Sequence, residues 1–162
     1  MLDRCELLRL IEQNARLSQA ELAVMLQATE DEVSAALKTL REENIILGYT
    51  TIINWEKTQV ESVTAMIEVR LVPQRDQGFD RIAQRLYKYP QVSSCYLMSG
   101  GFDLMLIIED STLREVASFI SDKVAPLDGV VSTATHFILK NYKSNGVVFE
   151  DKPEDRRETV IL

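Results

Sequence analysis

The sequence predicts an α+β protein in two parts, and three observations carry that reading. Through the first 45 residues or so, apolar side chains recur at helical spacing. From about residue 60 the pattern changes to strands interleaved with helices in the order β-α-β-β-α-β. Four places show a capping residue followed three positions later by Glu, the mark of a helix start. With 162 residues, 46% of them hydrophobic and 27% charged, the chain has apolar side chain enough for one medium core or two small ones.

In chain order, Asp3 and Glu6 open a first helix over roughly residues 3–14, with Leu7, Leu10 and Ile11 on one face. "LSQAELAVML" repeats the device with Ser18 and Glu21, and Leu22, Ala23 and Leu26 form its buried side. Thr29 and Glu32 start a third helix, in which Val33, Ala36, Leu37 and Leu40 follow the i, i+3, i+4, i+7 stripe. Three helices, the last two about three residues apart and with small Ala23 where they must approach, fit a helix-turn-helix. They fit a plain three-helix bundle equally well.

"IILGYTTIINWEKTQVES" then reads as a short strand and a linker, with Trp55 anchored at a junction. "SVTAMIEVRLV" alternates as a strand, and Phe79, Ile82, Ala83 and Leu86 mark a helix that Pro90 stops. "QVSSCYLMS", the turn "GGFD" and "LMLIIE" make two further strands. Thr112 with Glu115 begins a helix lined by Leu113, Val116, Ala117, Ile120 and Val124, and "VVSTATHFILKNYK" closes the unit as the fourth strand. This is the order of a ferredoxin-like domain, in which the first and third strands are central. Its two helices cover one face of the sheet, while the third strand is apolar on both, so a second copy of the sheet is the expected cover for the other face. The expected parts are residues 1–48 (helix-turn-helix), 49–59 (strand linker), 60–143 (ferredoxin-like) and 144–162 (an acidic tail, with Asn145-Gly146 as a turn).

The net charge of −7 excludes a generally basic nucleic-acid binder, because non-specific DNA affinity comes from Lys and Arg displacing counterions. Any DNA contact must be local. Cys5 and Cys95 read as small buried apolar residues in a reducing, cytoplasmic setting. No apolar run approaches the roughly 20 residues of a membrane span. His136 is the single histidine, which leaves no multi-histidine metal site and favours a structural role; neither metal nor cofactor is expected.

With "LSQAELAVML", "LREENIILGYTTIIN", the "SGGFDL" turn between the second and third strands of the second domain, and "STATHFILKNYK", the chain resembles the Lrp/AsnC family of feast-famine transcriptional regulators from about residue 3 to 143. Gly100, Gly101, Phe102 and Asp103 match the family's Gly-x-Tyr/Phe-Asp signature. The resemblance implies a regulator of double-stranded DNA that forms homodimers, or octamers built from them, and binds a small effector, usually an amino acid. Glycine amides can face a carboxylate and Asp103 an ammonium, though Gly-Gly and Asp are also what a tight hairpin needs. Ser99, Thr133, Thr135 and His136 are the other effector candidates, with Thr133, Thr135 and Phe137 on one face of the strand and His136 on the other.

The family's third helix reads bases and commonly carries arginines where this sequence has Ala35, Ala36 and Thr39, and the family's glycine in the turn is Gln27 here. Up to Gly48, nine acids face five basic residues. Arg16, Thr29, Ser34, Lys38 and Arg41 are left as the DNA candidates. Besides a ligand-responsive regulator, two alternatives stand: an amino-acid sensor with weak or lost DNA binding, and an enzyme subunit like the siroheme decarboxylases, which a single histidine disfavours.

Overall fold

The computed structural model describes residues 2–72 and 79–149, which fall into two compact units meeting at Thr51 and Ile52. The first unit has three helices, α1 (Arg4–Gln13), α2 (Gln19–Leu26) and α3 (Glu30–Glu42). The expected starts are all present. The Asp3 carboxylate accepts from the amides of Cys5 and Glu6, while Ser18/Glu21 and Thr29/Glu32 form complete reciprocal boxes. Leu7, Leu22, Ala23, Val33, Leu37 and Leu40 form the core, and an Arg4–Glu43 ion pair joins the start of α1 to the residue that ends α3. Cys5 is exposed, against expectation. It precedes buried Leu7 by two positions, which on a helix is about 200° around the axis.

The turn between α2 and α3 is reached through Gln27, whose φ of 50° and ψ of 44° lie in the left-handed region. A side chain there crowds the following carbonyl, at a cost of roughly 1–2 kcal/mol that glycine escapes.

Residues 45–54 form no strand with any other described segment, so the expected strand in the linker is not paired within the chain; Trp55–Lys57 is instead a single 3₁₀ turn with Trp55 exposed. A strand is held by its neighbour's amides and carbonyls, and sequence pattern alone cannot supply that neighbour.

The second unit contains β1 (Val63–Leu71), α4 (Asp80–Leu86), β2 (Val92–Leu97), β3 (Leu104–Asp110), α5 (Leu113–Phe119) and β4 (Val130–Phe137). The strands make one antiparallel sheet ordered β2-β3-β1-β4, so β1 and β3 are central as expected. α5 continues as a π turn over Ile120–Val124. α5 buries Val116 and Phe119 and the extension buries Ile120 and Val124, while Leu113 and Ala117, expected on the inner face, are exposed. β4 ends at Phe137, earlier than expected, and the chain goes on into a small hairpin of β5 (Lys143–Ser144) and β6 (Val147–Val148). Asn145 and Gly146 form its turn, both at positive φ. The rest of the expected tail, 150–162, lies outside the described residues.

One face of the sheet carries Ala65, Ile67, Val69, Leu104, Leu106 and Ile108, all buried under Ile82, Leu86, Val116, Phe119, Ile120 and Val124. By register, the other face carries Met66, Met105, Ile107, Tyr96 and Ala134, together with Glu68, Arg70, Glu109 and His136. β3 is thus apolar on both faces, but the rest of its outer face is mixed. Cys95 is partly buried, and burial pushes its thiol above the usual range, so it is an unreactive packing residue.

Replacing Gln27 by glycine relieves the left-handed strain and is expected to stabilise the first unit by about 1 kcal/mol, after allowing for the entropy of glycine in the unfolded chain. Chemical denaturation of the full chain measures it, and an unchanged or lower midpoint contradicts the strain argument.

Candidate functional site

Two regions concern function, one in each unit. In the first, α3 presents Ser34, Lys38 and Arg41 at i, i+4 and i+7, a single exposed line about 100° around the helix from Val33, Leu37 and Leu40. Most of its polar groups are already engaged. The Thr29 hydroxyl accepts from the Glu32 amide at 3.2 Å and donates to Glu32 Oε2 at 3.1 Å, while the Thr29 amide donates to the same oxygen at 2.9 Å. The hydrogen bond from the Thr29 backbone, and then that from its side chain, hold the Glu32 carboxyl below its ordinary range. Lys38 Nζ lies 3.9 Å from Glu42 Oε1. Arg41 donates to the Tyr49 hydroxyl at 3.2 Å, with its guanidinium 5.5 Å from the centre of the Tyr49 ring. Arg16 is exposed in the loop before α2, its own amide held by Asn14 Oδ1 at 3.0 Å.

Ser34 and Arg16 are therefore the DNA candidates least occupied by their surroundings, and Thr29 acts first as a cap. Tyr49 was not among the residues read from sequence. Nothing local signals it, because it lies eight positions from Arg41 and outside the helix.

In the second unit, the turn from β2 to β3 runs through Ser99, Gly100, Gly101, Phe102 and Asp103. Gly100 has a φ of +133°, which only glycine adopts readily, whereas Gly101 lies outside the left-handed region. A Cβ at Gly101 would be 3.9 Å from Arg70 Nη2, an ordinary contact. Asp103 is bound into the sheet three times: its amide donates to the Val69 carbonyl at 3.0 Å, its carbonyl accepts from Met98 at 2.8 Å, and its carboxylate Oδ2 accepts from the Leu71 amide at 2.7 Å. The last bond sits where the β1–β4 register shifts, between Arg70 and Leu71, and supplies an acceptor to an amide that the ladder leaves unpaired. The aspartate thus has a structural task besides any ligand contact.

Thr133 lies opposite Val69, which lies opposite Leu104, so Thr133 is level with the start of β3 but two strands away, roughly 10 Å. Thr135 is opposite Ile67, farther from the turn, and both threonines share the helix side of the sheet with Phe137. His136 is opposite Met66 on the outer face, its Nε2 3.1 Å from Glu68 Oε1. The structure therefore gathers Ser99, Gly100, Gly101 and Asp103 at one end of the sheet with Thr133 level with them, and sets His136 apart, within hydrogen-bond distance of Glu68. Among the described residues, no group of three or more His, Cys, Asp or Glu side chains is arranged to hold a metal.

Asp103→Ala removes the acceptor of the Leu71 amide and is expected to cost about 1–3 kcal/mol of stability, with Asp103→Asn, which keeps an oxygen there, costing less. Urea unfolding measures both. Equal stability of the alanine variant and the parent would show that this bond does not hold the turn.

Residues 4–46 match the family model of a winged helix-turn-helix DNA-binding domain, and residues 64–148 that of the Lrp/AsnC ligand binding domain. YugG, an HTH-type transcriptional regulator of Bacillus subtilis, is 43% identical over 156 residues, covering 96% of this chain and 94% of the relative. A proline dehydrogenase transcriptional activator of Rhizobium radiobacter is 25% identical over 142 residues, covering 88% and 90%. The fold matches the crystal structure of a Neisseria meningitidis transcriptional regulator in complex with L-Met, at a TM-score of 0.71 and 24% identity over 89% of this chain and 94% of that one.

Proposed function

Because the chain belongs to the Lrp/AsnC family of transcriptional regulators, with a helix-turn-helix and a ligand-binding domain, we propose that it is a one-component regulator of its own kind of operator, controlled by a free amino acid. The observation that carries the DNA half is the single outward line of Ser34, Lys38 and Arg41 on a helix whose start is capped twice over. α3 enters the major groove; Ser34 and Arg41 meet base edges, Lys38 and Arg16 meet phosphates, and Thr29 contributes its position at the helix start. The proposed effector site is the β2–β3 turn with Ser99, Gly100, Gly101 and Asp103, extended by Thr133 and, more remotely, Thr135; His136 belongs to the outer face. The L-Met complex of the Neisseria protein supports an amino acid as the effector class.

A homodimer accounts for the outer face of the sheet, where Met66, Met105, Ile107 and Tyr96 lie together on the side that the helices leave uncovered. Two heads on one particle raise the effective concentration of the second contact, which a head carrying nine acids against five bases requires. The cytoplasm is the setting that fits this role, and no described helix is long and apolar enough to cross a membrane. The matched families and the named relatives are transcriptional regulators, which supports a non-enzymatic role.

DNA anisotropy or gel retardation on the fragment upstream of the gene, at several salt concentrations, tests this reading. Log affinity is expected to fall linearly with log salt, and Lys38→Ala to reduce the slope by about 0.9, the share of one phosphate. Ser34→Ala should instead relax discrimination between operator variants by about 1–3 kcal/mol at one base position. No retardation of any upstream fragment at micromolar protein sinks the operator-binding claim. That outcome would favour the sensor reading, for which the engagement of Lys38 with Glu42 and of Arg41 with Tyr49 is the structural motive.

A further inference from the structure

We propose that Arg70, at the end of β1, receives the carboxylate of the effector; the proposal rests on the reading that the effector is an amino acid. The β1–β3 ladder ends at Val69 opposite Leu104; just past it the Asp103 amide bonds to the Val69 carbonyl and the Asp103 carboxylate accepts from the Leu71 amide, so Asp103 lies beside Arg70. Asp103 turns one oxygen to the Leu71 amide, and among the described residues no carboxylate forms an ion pair with Arg70. In a chain of net charge −7, an exposed guanidinium beside an aspartate that does not take it is a cation left for an anion.

Gly101 makes that cation accessible. Its φ does not call for glycine, and a Cβ would meet Arg70 Nη2 only at 3.9 Å, in ordinary contact. Neither backbone strain nor a clash accounts for glycine here. What its lack of a side chain does is leave the guanidinium open from the side of the turn. Ser132, paired with Arg70 across β4, adds a hydroxyl on the same face, at the end of the sheet beyond the Met66, Met105 and Ile107 patch assigned to the homodimer.

A free α-amino acid fits this arrangement by charge. Its carboxylate takes the planar fork of Arg70 and its ammonium the second oxygen of Asp103, on neighbouring strands. The site thereby selects the intact zwitterion. A carboxamide or a decarboxylated amine with the same side chain lacks the group that Arg70 receives.

The test uses the full-length protein. Its melting temperature is measured with each proteinogenic amino acid, and affinity for the amino acid that shifts it most is measured by titration calorimetry. The same titration is made with the carboxamide and the corresponding amine, and with Arg70→Gln and Arg70→Lys. Both analogues and Arg70→Gln are expected to lose roughly ten- to a hundredfold in affinity, the worth of a charge-assisted hydrogen bond. Arg70→Lys, a point charge without the fork, should fall between, and the unliganded melting temperature should stay as in the parent. If Arg70→Gln binds as the parent does, or the carboxamide as tightly as the acid, Arg70 is not the carboxylate receptor although the amino-acid reading stands. If the parent responds to no amino acid, that reading fails and this proposal with it.

Discussion

The register of β1 against β3 is the constraint on which the second unit rests. Seven residue pairs from Val63–Asp110 to Val69–Leu104 fix it. A slip of one residue would turn Ala65, Ile67 and Val69 out of the core and Thr64, Met66 and Glu68 into it, so the apolar face enforces the alignment. The proposed effector site of this unit follows from that alignment. It brings Arg70 level with Asp103, sets the Gly100–Gly101 turn beyond the end of β1, and, through the β4 pairing, puts His136 within reach of Glu68. The Asp103–Leu71 bond closes the alignment at the end where β1 changes register against β4.

The head solves a different problem, that of an acidic helix in a DNA-binding position. Of the three acids that open α3, Glu32 is consumed by the capping box, and all three sit in the first turn, where carboxylates favour the helix dipole. Much of the apparent misfit of charge is therefore the structure of a helix start. The cost falls on affinity, because the basic side chains of α3 are few and both have intramolecular partners. Electrostatic grip from one head is weak by this count, and the proposed pairing of heads would supply the remainder.

Local signals were legible in the sequence and long-range ones were not. Helix starts at Asp3, Ser18, Thr29 and Thr112 were readable because a cap and its partner lie three residues apart. The sheet order followed from the succession of elements. Arg41 with Tyr49, Asp103 with Leu71 and Glu68 with His136 are contacts made by folding, across 8, 32 and 68 positions, and no spacing announces them. Leu113 and Cys5 show the opposite error: an apolar residue near a helix stripe was assigned inward when the helix phase turns it to solvent. For the proposed effector site, the turn is visible in its glycines, while Arg70 sits in an alternating strand with no local signal and comes beside Gly101 only through folding.

A chain that joins a DNA reader to an amino-acid receptor must couple the two energetically, and that coupling is the most direct measure of the proposed function. Operator affinity is measured by fluorescence anisotropy without and with saturating amino acid, and amino-acid affinity by calorimetry without and with operator. Coupling requires both to change by the same factor, of the order of 5- to 150-fold, since linkage is reciprocal. Operator affinity that is indifferent to every amino acid that binds the protein would contradict the claim.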